Sequence, residues 1–105
     1  MSKPCIVIAM FTPKAGSSKA VHDVLSKSIP VVHHEDGCEL YALHEDVEGR
    51  FVLIEKWTSR EAWRVHVGLP SVAHLHKNLT GLLERDVEVF EMYGQAVGTV
   101  EQGTL

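Results

Sequence analysis

The chain has 105 residues, of which 45% are hydrophobic and 23% charged, a composition typical of one folded domain rather than of a disordered chain. Its 10 Lys and Arg against 14 Asp and Glu give a net charge of −4, which argues against nucleic-acid binding, because that binding needs cations to neutralise phosphates. Two cysteines are too few for a disulfide framework, and no apolar stretch approaches the ~20 residues of a membrane helix. We therefore expect a single cytoplasmic domain, 1–105, with free thiols and no membrane partner.

The first third of the chain predicts a strand followed by a helix. The apolar run CIVIAMF is typical of a buried strand and ends at Thr12-Pro13. Residues of one face then recur at the three- and four-residue spacing of an amphipathic helix, namely the apolar Val21, Val24, Leu25, Ile29 and Val32 together with Ser28. Pro30 predicts a kink or break, with a last turn that runs to Gly37, so the polar residues 33–36 are interpreted as a solvated helix end.

The middle of the chain predicts a hairpin and a second helix. CELYALHED and FVLIEKW have strand character and are joined by a turn at Glu48-Gly49-Arg50. Thr58 and Glu61 then form a capping box that begins a helix, which is interrupted at Gly68 and Pro70 and continues to about Leu83.

The end of the chain predicts a fourth strand and a tail. DVEVFEMYG alternates in the manner of a strand, which completes a domain core over about residues 4–93. Residues 94–105 have few anchors and are expected to form a mobile tail or an exchange arm that reaches a partner.

The order of elements is β-α-β-β-α-β, which predicts an α+β, ferredoxin-like fold with two helices on one face of a four-stranded antiparallel sheet. The first and third strands are apolar on both sides, so the face without helices needs a second apolar partner. A second copy of the chain is the simplest partner, and we expect a homodimer through this sheet face.

Histidine is the residue type with the most candidate chemistry. None of the seven histidines is four positions from another, so no helical metal site is predicted, although ligands from distant segments are left open. His66 lies on the inner stripe of the second helix, either as a core histidine or as a proton donor or acceptor in a cavity. His76 follows ten residues later, and the break near Pro70 allows both to face one pocket.

A carboxylate and several aromatic residues are the other candidates. Glu55 lies inside an apolar strand, so its carboxylate needs either a partner or a raised pKa, and Lys56 points to the opposite face. Tyr41, Trp57 and Trp63 serve either as packing residues or as a flat slot for a planar ligand.

Three stretches of the chain resemble the antibiotic biosynthesis monooxygenase family, in particular its small quinol monooxygenase-like group. These stretches are GCELYALHED, RFVLIEKWTSREAWRVHVGLPSV and VEVFEMYG. The most specific match is the family's E-x-W-x-s-x-e-A-x-x-x-H run, which begins at Glu55 and ends at His66, and Gly37-Cys38 with Tyr41 matches its G-C-x-x-Y. The resemblance implies a dimeric α+β barrel that oxidises a phenolic, quinol or polyketide-type aromatic with O₂ and needs no metal, flavin or haem.

The resemblance also implies roles for particular residues. Those implied as catalytic are His66 and Glu55, and those implied as substrate-binding are Tyr41, Trp57, Trp63, His74 and His76. Many members carry a second His where this chain has Ser71, so His74 or His76 would have to replace it.

Two alternatives to this reaction stay open. One is a dimer that binds a small ligand, or acts in a stress response, without catalysis. The other is haem degradation, whose enzymes in this superfamily use an Asn on the first strand, a Trp on the second helix and a haem-ligating His ten residues after that Trp. His76 matches the haem-ligating His by its spacing, but His66 stands where the Trp would be and the first strand has no Asn.

Overall fold

A computed structural model describes residues 3–105 and places four strands in one open antiparallel sheet. The elements are β1 Cys5–Phe11, α1 Ser18–Val32, β2 Cys38–Glu45, β3 Phe51–Trp57, α2 Arg60–Val67, α3 Pro70–Asn78, β4 Glu88–Tyr93 and α4 Val100–Gly103. The strand order β2-β3-β1-β4 puts β1 and β3 at the centre. The predicted α+β, ferredoxin-like fold is confirmed.

The core lies between the helices and one face of this sheet. Alternate residues of β1 and β3 point to it because successive side chains of a strand face opposite sides. They are Cys5, Val7, Ala9 and Phe11 on β1, and Phe51, Leu53, Glu55 and Trp57 on β3, all of them buried. The apolar stripe of α1 covers them with Val21, Leu25 and Val32, as its helical spacing predicts.

The helix α1 runs through Pro30 and ends at Val32, so the predicted break at the proline and the last turn to Gly37 are wrong. Proline removes one backbone donor, but the amide of His33 bonds the carbonyl of Ile29 at 3.1 Å and the helical hydrogen bonds resume at once. Beyond Val32 the chain makes two tight turns and no further helical turn. In the first of them the amide of Glu35 donates a hydrogen bond to the carbonyl of Val32 at 2.9 Å.

The second predicted helix is two helices, α2 and α3. Ser59, not Thr58, caps α2, because its hydroxyl accepts from the amide of Ala62 at 3.1 Å. Pro70 opens α3, where its missing donor costs nothing. The predicted end near Leu83 is wrong, since α3 stops at Asn78 and Gly81 then takes a φ of +80° that no helix continues.

The outer face of the sheet carries no helix from α1, α2 or α3. Ile8, Met10, Val52 and Ile54 on this face are only partly buried, and on β4 Phe90 and Met92 are 48% and 41% exposed. The segment 94–105, which contains α4, lines a cavity together with Ile6, Lys56 and Met92. The ammonium of Lys56 donates to the carbonyl of Leu105 at 2.8 Å. The role of this segment as an exchange arm stays a prediction.

Among the helices of residues 3–105, none has the length and apolar character that a membrane crossing requires.

Candidate functional site

The site begins with two side chains of β3 that share the inner face of the sheet. The indole Nε1 of Trp57 donates to Oε1 of Glu55 at 2.9 Å, and both side chains are buried. Burial raises the pKa of Glu55 to about 7, the bond from Trp57 opposes this rise, and the charge of Glu35 adds to it. The sequence prediction that Glu55 needs a partner or a raised pKa is confirmed, and the structure shows both.

The second component is a buried carboxylate–imidazole pair. Nδ1 of His66 on α2 lies 2.6 Å from Oε1 of Glu35, and the two side chains are 6% and 12% exposed. The imidazole packs on the indole of Trp57 with ring centres 4.6 Å apart and a tilt of 32°. His66 is thus held between a carboxylate on one side and an aromatic ring on another.

Glu35 reaches His66 because the turn after α1 docks against the start of α2. Gly37 has a φ of +83°, and a Cβ there would lie 2.7 Å from the Cβ of Ala62, so only glycine allows this approach. The carbonyl of Gly37 accepts from the amide of Thr58 at 2.9 Å. These contacts fix the position of Glu35 relative to α2.

The interpretation of residues 33–36 as a solvated helix end is therefore wrong for Glu35. Helical spacing does not indicate this position, because α1 ends at Val32 and Glu35 lies in the turns beyond it, among polar neighbours. Asp36, next in the chain, is exposed as expected.

Tyr41 is the third component and joins the cluster to a cleft. It lies opposite Glu55 in the sheet register, and its ring meets those of Trp57 and His66 edge-on, with centres 6.4 and 5.7 Å away. Burial, and then the charges of Glu55 and Glu35, raise the pKa of Tyr41. The phenol therefore stays protonated at physiological pH and can act as a hydrogen-bond donor.

The cleft lies between α1 and α3 and has a volume of about 930 Å³, within the range of small-molecule sites. Its apolar lining is formed by Val24, Val31, Val32, Tyr41, Pro70, Val72 and Leu75. Its polar lining is formed by Asp23, Lys27, Ser28, Ser71, His74 and Asn78. An apolar slot with scattered polar groups suits a flat molecule that carries a few hydroxyl groups.

Two polar atoms of the cluster have no hydrogen-bond partner within residues 3–105, namely Nε2 of His66 and the hydroxyl of Tyr41. Tyr41 lines the cleft, whereas His66 does not line it and packs against the rings of Tyr41 and Trp57. Among residues 3–105, the side-chain atoms that are both fully buried and unpartnered are Thr12 Oγ1 and Glu35 Oε2.

The structure brings together four of the candidate residues, namely Glu55, Tyr41, Trp57 and His66. His74 lines the cleft, where it shares Tyr41 with that cluster. His76 points to the other side of α3, into a groove with Thr80 and Glu84, and so does not meet His66. Trp63 packs against the core outside the cleft lining. Within residues 3–105, no three metal-ligating side chains converge.

The fold and this site place the chain in a class of small α+β proteins with a buried acid–base cluster under a cleft. Residues 4–78 match the family model described as antibiotic biosynthesis monooxygenase. The chain is 36% identical over 90 residues to "Putative monooxygenase Rv0793" of Mycobacterium tuberculosis. The alignment covers 85% of this chain and 89% of that protein. The chain belongs to the antibiotic biosynthesis monooxygenase family.

Solved structures agree with this assignment. The structure of Rv0793 superposes with a TM-score of 0.84 and 32% identity over 92% of this chain and 100% of that one. The crystal structure of a "putative antibiotic biosynthesis monooxygenase" from Deinococcus radiodurans gives a TM-score of 0.80 and 25% identity over 90% and 97%. The chain is therefore similar to proteins named as monooxygenases.

Proposed function

We propose that this protein is a monooxygenase that oxidises a phenolic, quinol or polyketide-type aromatic with O₂, the substrate itself supplying the electrons and no metal, flavin or haem taking part. The observation that carries the proposal is the position of Tyr41, which lines the cleft and packs against both His66 and Trp57. A planar substrate in the cleft would lie against the phenol of Tyr41, with its hydroxyl directed past that ring towards Nε2 of His66.

The reaction needs a proton acceptor and a dry site. Nε2 of His66 takes the proton of the substrate hydroxyl, and the electron-rich anion that remains reduces O₂. One oxygen atom of O₂ enters the ring and the other leaves as water, so that a phenol and O₂ give a quinone and water. All electrons come from the substrate, and a substrate bound against the apolar side of the cleft would displace water from it.

Supporting roles follow from the positions of the other side chains. Tyr41 donates a hydrogen bond to a substrate oxygen. Glu55, with a pKa of about 7, is a second acid–base group and acts on His66 through the indole of Trp57. His74 and Ser71 line the cleft wall, where they can bind a second hydroxyl of the substrate.

Oxygen consumption with a panel of hydroquinones and polyphenols tests the proposal. We expect uptake with at least one substrate, and loss of most of that uptake in His66→Ala, because the proton acceptor is removed. His34→Ala is the matched control, since the side chain of His34 is exposed. If every compound leaves O₂ uptake at the buffer rate while tryptophan fluorescence reports tight binding, the protein is a ligand-binding module instead.

The homodimer is a second part of the proposal. The outer face presents Ile8, Met10, Val52 and Ile54, which are partly buried, and Phe90, which is 48% exposed, so an apolar surface runs across this face. A second copy would cover it symmetrically. Sedimentation of the protein at micromolar concentration tests this, and a monomer would contradict it.

The unpaired thiols Cys5 and Cys38 are in keeping with a cytoplasmic setting for the reaction.

A further inference from the structure

The contact between Glu35 and His66 determines which nitrogen of the imidazole is available. An ionised carboxylate can only accept hydrogen bonds, so Nδ1 of His66, 2.6 Å from Oε1 of Glu35, must be the donor in that pair. A neutral imidazole with its proton on Nδ1 has its lone pair on Nε2. Nε2 is also the nitrogen without a protein hydrogen-bond partner in residues 3–105.

A single hydrogen bond to His66 does not by itself explain why the carboxylate of Glu35 is buried at this position. Oε1 of Glu35 bonds to His66, but Oε2 is fully buried and has no partner in the part of the chain that the structure describes. Burying a charged oxygen without a partner is unfavourable. A positive charge on the adjacent imidazole would compensate for it, and that charge arises when Nε2 accepts a proton.

The other titratable groups around His66 do not supply such a charge. Burial raises the pKa values of the Tyr41 phenol and the Cys38 thiol, which keeps both neutral. Glu55 is bonded to the indole of Trp57 and not to the imidazole. Glu35 is the charged group in direct contact with His66.

We propose that Glu35 is a positioning residue that holds His66 as the Nδ1–H tautomer and stabilises the imidazolium formed when Nε2 takes a proton from the substrate hydroxyl. The inference rests on the proposed function for the reaction itself. In the step, the O–H bond of the substrate breaks, its electron pair stays on the oxygen, and the proton forms the N–H bond at Nε2. Glu35 touches no substrate and acts through His66.

The tautomer of His66 can be measured without any substrate. Heteronuclear NMR of the full chain with isotope-labelled imidazole nitrogens distinguishes protonated from unprotonated nitrogens, and His66→Ala identifies the signal. We expect Nδ1 protonated and Nε2 unprotonated at neutral pH in the unmodified protein. In Glu35→Leu, which removes the acceptor for Nδ1–H, we expect a shift towards the Nε2–H tautomer.

Asp36→Asn is the matched control, because it removes the same charge from the next residue, whose side chain is exposed. It should leave the tautomer unchanged. A protonated Nε2 with an unprotonated Nδ1 in the unmodified protein overturns the inference, as does a tautomer that Glu35→Leu leaves unchanged.

Kinetics with the best substrate of the panel give a second readout. We expect Glu35→Gln to lower kcat about tenfold to a hundredfold with little change in KM, as is typical of partners that orient a reacting imidazole. Glu35→Asp, which keeps the charge, should recover part of kcat, and Asp36→Asn should retain all of it. Full kcat in Glu35→Gln refutes the role of Glu35 while leaving the proposed function intact. If no compound is oxidised, the proposed function fails, and the tautomer still decides whether Glu35 orients His66.

Discussion

Glu55→Gln tests the central electrostatic feature of the site, a carboxyl group buried beside Trp57. The amide is nearly isosteric with the carboxylate, and its oxygen can still accept from Nε1 of Trp57, whose present bond to Glu55 is 2.9 Å long. The substitution therefore removes the titration and leaves the packing and the hydrogen bond. If the new NH₂ group lowers the free energy of unfolding, it does so by the same amount at every pH.

The magnitude follows from the pKa of Glu55, which rises from an ordinary value of 4.5 to about 7 in the folded protein. Between these values the folded chain holds a proton that the unfolded chain has released, so the free energy of unfolding falls as the pH rises through this window. At about 1.4 kcal/mol per pH unit, the accumulated loss is about 3 kcal/mol above neutral pH. Glu55 is 3% exposed, so solvent screens little of this effect.

The assay is urea unfolding of both proteins from about pH 5 to about pH 8 at one protein concentration, since the proposed dimer would make stability depend on concentration. Relative to the unmodified protein, Glu55→Gln should gain about 3 kcal/mol across this range, in order of magnitude. Glu39→Gln, at an exposed position of β2, should show no such gain. A stability difference between Glu55→Gln and the unmodified chain that does not change with pH would refute the reasoning.

Three further predictions concern the surroundings of the site. Trp57→Phe removes the hydrogen bond that lowers the pKa of Glu55, so that pKa should rise further, as measured by NMR titration of the carboxyl group. Gly37→Ala should lower the free energy of unfolding by about 2 kcal/mol or more in urea unfolding, because alanine is strained at a positive φ and would overlap the start of α2. Phe90→Asp places a charge on the exposed apolar face of the sheet and should shift the sedimentation coefficient to that of a monomer.

Two control variants sharpen these tests. Gly49 also has a positive φ, of +88°, but no atom lies within 4 Å of the Cβ position, so Gly49→Ala measures the strain without the overlap. An equal loss of stability in Gly37→Ala and Gly49→Ala would contradict the docking of the turn on α2. Val47→Asp adds the same charge at a fully exposed hairpin position and should leave the oligomer unchanged.

The order of elements was predictable because local patterns decide it. In β3 the alternation around Glu55 and Trp57 places both on one face wherever the strand pairs, so their proximity followed from the sequence. The helix ends were less predictable. Helix α1 continues past Pro30 because the proline removes only one hydrogen bond, and α3 ends before Gly81 because that residue takes a left-handed backbone conformation.

The pairing of Glu35 with His66 was the part that local patterns did not predict. The two residues are 31 positions apart, and their contact depends on how closely the turn at Gly37 approaches Ala62. Sequence shows a glycine at that position but not which surface it meets. The same reason explains why His76 lines a groove on another side of the molecule while His66, ten residues earlier, is buried in the cluster.

The most direct test of the proposed reaction is the fate of the oxygen atoms. The protein is incubated with its best hydroquinone under isotopically labelled O₂, and the product is analysed by mass spectrometry. We expect one labelled oxygen atom in the quinone product at a rate that depends on His66, with the other label in water. A product without label, or the same labelled product at the same rate with His66→Ala, would contradict a monooxygenase that works through this site.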